Sequence, residues 1–202
     1  MEIELLTSKS SFADMERNAM NAGLSCRLTS SEGKVPSEFL KQLINLGHES
    51  VLEHIYMTFR VKNISRALLQ QLARHRHITL SVESTRSTLS KRLLSGELES
   101  YFEQLEADGL VYEGALSHLK ECLEVMLKII AEHPEIKNDQ LKYFMAEFFP
   151  TSLFMTVNVR ELRHIFKLRS KAPALREFQI LCSRLYQSIY SEYRYLFEDV
   201  RA

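Results

Sequence analysis

The chain of 202 residues has the length of one domain. With 45% hydrophobic and 26% charged residues and only 6 glycines and 4 prolines, its composition excludes disordered, collagen-like and disulfide-stapled classes and leaves a globular protein that buries its own core. Lys plus Arg and Asp plus Glu both total 26, so no overall field draws the molecule to nucleic acid or an anionic membrane, and any anion site has to be local.

A single domain over residues 1–202 is expected. Ile3 to Leu6 reads as a short strand, and no secretory signal or transit peptide is visible at the start. Residues 7–11 cap a helix carrying Met15, Ala19 and Ala22 at helical spacing. After a loop over residues 29–37, Phe39, Leu40, Leu43, Ile44 and Leu46 mark a helix that Gly47 ends. From Tyr56 to Val61 the pattern alternates, with Met57, Phe59 and Val61 on the buried side of a strand. Ile64, Ala67, Leu68, Leu69 and Leu72 return to helical spacing.

Residues 90–114 are charged and interrupted by Gly96 and Gly109, which predicts an irregular excursion. Helices follow over residues 115–132 and 138–149, parted by His133-Pro134, since the residue before proline resists the helical region. Residues 152–157 read as a strand. Asn158 with Glu161 three residues on resembles a capping box opening a helix through Leu168, and a last long helix covers residues 174–197. No run is apolar enough for a membrane span. Cys26, Cys122 and Cys182 lack metal-ligand spacing and read as reduced packing residues of a cytoplasmic protein.

Two basic clusters stand out. Residues 74–92 hold five Lys or Arg (Arg74, Arg76, Arg86, Lys91, Arg92) against one acid, Glu83, with His75, His77 and a series of hydroxyls between them. Arginine forks, hydroxyls and loop amides are the vocabulary of phosphate binding, although a solvated basic loop would look the same. In the second cluster, residues 160–169, Arg160, Arg163 and Lys167 recur at three- and four-residue spacing among Leu162, Ile165 and Phe166. One of these arginines is expected beside the apolar stripe, where it requires an anionic partner; an exposed basic helix face is the plainer alternative. His48 and His54 beside Glu49 and Glu53 lack zinc-site spacing, so no metal is expected. GxGxxG, GxxxxGK[ST] and GxSxG are absent.

The stretch Arg74-His75-Arg76-x-x-Thr79-x-Ser81-x-x-Ser84-x-Arg86 resembles the RHRxxSxNxxSxR signature of the flavin-dependent thymidylate synthases (ThyX), matching five of its seven defined positions. Gly47-His48-Glu49-Ser50 with Glu53-His54, Asn158-Val159-Arg160-Glu161-Leu162, and Leu168-Arg169 with Ala174 and Glu177 fall in the family's order. The resemblance implies an α/β (α+β) fold, an antiparallel or mixed sheet flanked by helices, and a homotetramer with FAD held without a Rossmann motif. It implies reductive methylation of dUMP to dTMP, with methylenetetrahydrofolate as one-carbon donor and NADPH as reductant through the flavin.

Carried over by position, His48, Ser50, Arg74, His75, Arg76, Asn158, Arg160 and His164 would hold FAD. Gln71, Arg74, Glu83, Ser84, Thr85, Arg86 and Lys142 would hold dUMP, chiefly its phosphate, while Arg169 would face the uracil ring as the catalytic arginine. The sequence departs from the pattern at Thr79, Ser81, Ser87 and Leu175, where serine, asparagine, tyrosine and glutamine are usual. Those departures leave room for a related pyrimidine-nucleotide C5-modifying enzyme with another substrate. The basic blocks alone would also suit a non-catalytic nucleic-acid binder, a partner that the resemblance does not imply.

Overall fold

A computed structural model of the chain describes residues 1–26 and 28–200. The protein is a mixed α/β fold whose four strands, β1 (Glu2–Leu5), β2 (Tyr56–Ser65), β3 (Ile78–Val82) and β4 (Pro150–Asn158), form one antiparallel sheet in the order β1-β2-β4-β3, flanked by helices. Side-chain alternation sets which face is buried: Met57, Phe59 and Val61 of β2 and Met155 and Val157 of β4 are nearly inaccessible. Register is fixed by specific pairs. Val159 donates to the Ile55 carbonyl at 2.8 Å, the Thr58 and Thr156 hydroxyls meet at 3.0 Å, and Glu4 pairs with Arg60 at 2.8 Å.

Two compact units share these strands. One contains Lys62–Leu72 and Ser81–Leu153, with Met1; the other contains Glu2–Val61, Ala73–Leu80 and the chain from Phe154 onward.

In the second unit, α1 (Lys9–Ser25) starts at Ser8, whose hydroxyl accepts from Ser11 N at 3.2 Å, and it buries Phe12, Ala19, Met20 and Leu24. Helix α2 (Pro36–Asn45) opens on proline and closes at Gly47, whose φ of +75° permits bonds from Gly47 N to Ile44 O and from His48 N to Leu43 O. A 3-10 helix, Glu49–His54, follows. Helix α8 (Val159–Arg169) is capped by Asn158, which accepts from Glu161 N at 2.8 Å. The expected box is only half made, because the Glu161 carboxylate turns to His75 instead.

Helix α9 is shorter than the reading of residues 174–197: it spans Arg176–Ser188 and gives way to a 3-10 segment, Ser191–Phe197. Arg194 explains how the break is tolerated. It donates to the carbonyls of Gln187 at 2.7 Å and Ile189 at 3.0 Å, groups that a continuing helix would otherwise satisfy.

In the first unit, α3 (Arg66–Leu72) follows β2, and its opening amides, Arg66 N and Ala67 N, donate to Phe149 O and Glu147 O at 3.1 and 3.0 Å. The helix expected over residues 138–149 reduces to α7 (Asn138–Leu141) and one 3-10 turn, Lys142–Phe144, after which the chain runs beside the start of α3. Residues 90–114 are not irregular: α4 (Thr85–Leu94) runs into them and α5 (Leu98–Ala107) occupies them. Leu98, Tyr101, Phe102 and Leu105 stand on one helical face and pack with Leu89, Leu93, and Leu119 and Met126 of α6 (Leu116–Glu132); the abundance of charge on the other face masked that stripe. Strand β3 was hidden in the same way, by the hydroxyls between Ile78, Leu80 and Val82.

Among the described residues, no helix is long and apolar enough to cross a membrane. Cys182 alone of the cysteines is the packing residue expected; burial pushes its thiol up to about 12, whereas Cys26 and Cys122 are exposed.

Candidate active site

The RHR stretch is divided between the two units at Leu80–Ser81, and each half builds its own cluster. In the second unit, the turn before β3 presents His75, which is 7% exposed, to the flank of α8 and the start of α9. Its Nδ1 lies 3.2 Å from Glu161 Oε1, and Arg169 Nε lies 3.3 Å from its Nε2. Phe178 meets the imidazole edge-on at 5.8 Å, and the Arg169 guanidinium lies over the same phenyl ring at 5.3 Å, a cation–π contact. His164 stands at 6.2 Å from His75, ring to ring. Burial pushes the His75 pKa down; the bond to Glu161 opposes this, and the Arg169 charge reinforces it, so the imidazole is neutral at pH 7.

Beside this cluster, α8 and the Glu49–His54 turn enclose an open cleft of about 570 Å³, lined by Asn158, Arg160, Glu161, His164, Lys167 and His77 together with Glu49 and Glu53. Arg160 pairs with Glu53, and Lys167 reaches Glu49 at 3.4 Å. Asn158, Arg160 and His164 line this cleft together. His48, Ser50, Arg74 and Arg76 are exposed and do not line this cleft.

Behind the Glu49 wall of the cleft sits an arginine of α8 beside the apolar stripe. Arg163 is fully buried, bidentate to Asp199 at 2.7 Å on both branches, 3.0 Å from Glu49, and bonded to the Leu196 carbonyl. Burial alone would raise Glu49, but the bond and charge of Arg163 and the charge of Lys167 hold it below the ordinary carboxylate range. The Arg163 bond likewise holds Asp199 below its ordinary value.

In the first unit, Ser84 is the N-cap residue of α4, so Thr85 and Arg86 fall in a helical first turn that lacks acids, where the helix dipole favours an anion. Arg86 is largely exposed and faces Asp139 of α7 at 3.0 Å; Lys142 lies 3.7 Å from the same carboxylate oxygen, which makes no aligned hydrogen bond. Asn138 ties the two helices by donating to Arg86 O at 2.9 Å and accepting from Ser90 N at 3.1 Å. Ser84, Arg86, Ser87, Lys137, Asn138 and Asp139 border an open cavity of about 580 Å³. Glu83 stands apart, bonded to Arg92 at 2.6 and 3.1 Å, and Gln71 is exposed at the end of α3.

Sequence reasoning gave no site role to Glu161, Phe178 and Asp139, and read His77 and Lys167 only as members of the basic clusters. Glu161 carried a signal, its capping position, which was assigned to the helix start alone. The others follow only from which elements pack together.

The architecture is thus that of an antiparallel α/β protein carrying a buried histidine–arginine cluster, a polar cleft along α8 and a cationic helix start. It is similar over its whole length to a solved structure of the flavin-dependent thymidylate synthase ThyX from Helicobacter pylori complexed with FAD and dUMP: TM-score 0.81, 31% identity, 100% of both chains. In sequence it is 39% identical over 163 residues to the flavin-dependent thymidylate synthase of Helicobacter pylori, covering 75% of this chain and 76% of that one. It is 32% identical over 194 residues to that of Campylobacter jejuni, covering 88% and 89%. The profile of the family described as thymidylate synthase complementing protein matches residues 6–193. The chain belongs to that family.

Proposed function

We propose that this protein is a flavin-dependent thymidylate synthase, an enzyme that reductively methylates dUMP to dTMP with methylenetetrahydrofolate as methyl donor and NADPH as reductant. The observation that carries this reading is the Glu161–His75–Arg169 cluster, in which the RHR block and the α8 block, the two most specific resemblances in the sequence, meet around one buried imidazole.

The residues present suit FAD. Arg160, Lys167, His77 and His164 supply donors for a pyrophosphate along one cleft, and the carboxylates now paired with Arg160 and Lys167 would yield to it. His75, Asn158, Arg160 and His164 would hold the cofactor, with Arg74, Arg76, His48 and Ser50 completing its contacts from the exposed turns. When bound, the flavin supplies the hydride chemistry, which leaves the protein to bind, orient and exclude water.

The dUMP phosphate is assigned to Ser84, Thr85 and Arg86 at the start of α4, with Gln71, Arg74, Glu83 and Lys142 as further contacts. Ser84 binds rather than attacks: at a helix N-terminus it presents amides and a hydroxyl to an anion. Arg86 would exchange its loose pairing with Asp139 for the phosphate. Arg169 is assigned to the uracil edge, where a fixed guanidinium stabilises charge that develops on the activated ring. Ser87, on the rim of the Arg86 cavity, favours a second reading in which the substrate is another pyrimidine nucleotide; assays on dUMP, UMP and dCMP separate the two.

The protein works as a cytoplasmic homotetramer, a location in keeping with three unpaired cysteines. Sedimentation followed in the flavin absorption band tests cofactor and assembly together. The expected result is a yellow tetramer that releases FAD, not FMN, on denaturation. A colourless protein that fails to take up added FAD would sink the flavin assignment, and a monomer with full flavin would sink the assembly.

A further inference from the structure

We propose that Glu161 is a positioning residue for Arg169, acting through His75 by fixing which imidazole nitrogen carries the proton. Its functional consequence rests on the assignment of Arg169 to the uracil edge above; the proton placement does not.

Arginine has donors and no acceptor, so the 3.3 Å contact from Arg169 Nε requires a lone pair on His75 Nε2. The single proton of the neutral ring must then sit on Nδ1, where the Glu161 oxygen at 3.2 Å accepts it. Each bond demands the other. Were the proton on Nε2, the ring would direct N–H at N–H on one side and a lone pair at a carboxylate on the other. The His75 side chain is 6% exposed and that of Glu161 11%, so water cannot readily replace either bond. The titratable and charged groups facing the ring are Glu161, Arg169 and His164, and the ring's neutrality at pH 7 keeps Nε2 open as an acceptor.

Arg169 is thereby held at two points, by its Nε on His75 and by its face on Phe178, which leaves the two Nη nitrogens for a ligand. An arginine pinned in this way has lost its rotamer freedom before substrate arrives, and that preorganisation bears on turnover more than on binding. Glu161 is suited to the task because its backbone amide already caps α8 through Asn158, which fixes the root of its side chain. Glu161→Gln retains an accepting oxygen and should preserve the arrangement, whereas Glu161→Ala removes it.

The test combines ¹⁵N NMR of histidine-labelled protein at pH 7 with kinetics. His75 in the unaltered protein should show a protonated Nδ1 and an unprotonated Nε2. Glu161→Gln should keep that signature, and Glu161→Ala should lose it to a mixture. Turnover at saturating dUMP should fall about tenfold to a hundredfold in Glu161→Ala, the rate equivalent of one charge-assisted hydrogen bond, with dUMP affinity nearly unchanged. It should fall no further when Glu161→Ala is added to Arg169→Ala, since both break one unit.

A protonated Nε2 in the unaltered protein, an unchanged signature in Glu161→Ala, or independent, multiplying losses in the double variant would each overturn the inference. Absence of any turnover in the unaltered protein would instead sink the proposed activity, and the NMR signature would still decide the proton placement.

Discussion

Arg86 and Arg169 are both arginines near the end of a helix, yet they are held in opposite ways. Arg86 is largely exposed beside Asp139, a pairing in water that is worth little and easily exchanged for a phosphate. Arg169 is fixed between an imidazole and a phenyl ring. Different consequences are expected. Arg86→Ala removes an ionic contact present in ground and transition states alike, and should weaken dUMP binding by roughly 1.5 to 3 kcal/mol, about tenfold to a hundredfold. Arg169→Ala should depress turnover at saturating dUMP more than it depresses binding. Titration of the flavin spectrum with dUMP reads the first, and steady-state turnover reads the second; normal binding in the Arg86 variant or normal turnover in the Arg169 variant refutes that assignment. Both assignments come from the sequence, where arginines at fixed offsets in two separate blocks form a specific pattern. Glu161 was not legible there, since a carboxylate three residues after an Asn cap already has a structural explanation and only the fold reveals that it faces His75 instead.

Helix α8 serves two purposes. Glu161 and His164 line the cleft, while the buried Arg163 joins α8 to the Glu49–His54 turn that forms the cleft's other wall and to the C-terminal segment at Asp199. Replacing Arg163 with Leu removes these bonds but leaves carboxylates that still touch water, so the loss of stability should be about 1 to 3 kcal/mol rather than the larger cost of stranding a buried charge.

The pH dependence has a definite sign. Glu49 and Asp199 are held below their ordinary values when folded, so their contribution is present above the ordinary carboxylate range and lost as pH falls through the folded pKa values. His75 is also lowered; its neutral form is favoured by the fold, so it too costs stability as pH drops below the ordinary histidine range. Thermal unfolding of the unaltered protein should therefore ease in two stages on acidification, with the lower stage diminished in Arg163→Leu; a variant as stable as the parent at pH 7 would contradict the role of Arg163.

The sequence offered an arginine beside the apolar stripe of this helix against the plainer reading of an exposed basic face, and the fold takes the first course with Arg163. The sequence could not disclose Asp199, distant in the chain, as the partner. The missed elements have separate causes: α5 hides its apolar face among charges, and α9 breaks where Arg194 satisfies the freed carbonyls.

For the molecule as a whole, a formal charge of zero conceals a strongly local distribution of charge. Cations concentrate at the start of α4 and along α8, and several are balanced nearby by a carboxylate: Asp139 for Arg86, Glu53 for Arg160, Glu49 for Lys167. Such a surface suits the exchange of a paired carboxylate for a small anion, as the proposed function requires. The most direct test of the account is formation of dTMP by the purified protein from tritium-labelled dUMP, methylenetetrahydrofolate and NADPH, with and without FAD. The account predicts dTMP together with release of tritium from the ring, both abolished when the flavin is stripped and restored when FAD is returned. Folded, flavin-loaded protein that binds dUMP yet yields neither dTMP nor tritium release would contradict it.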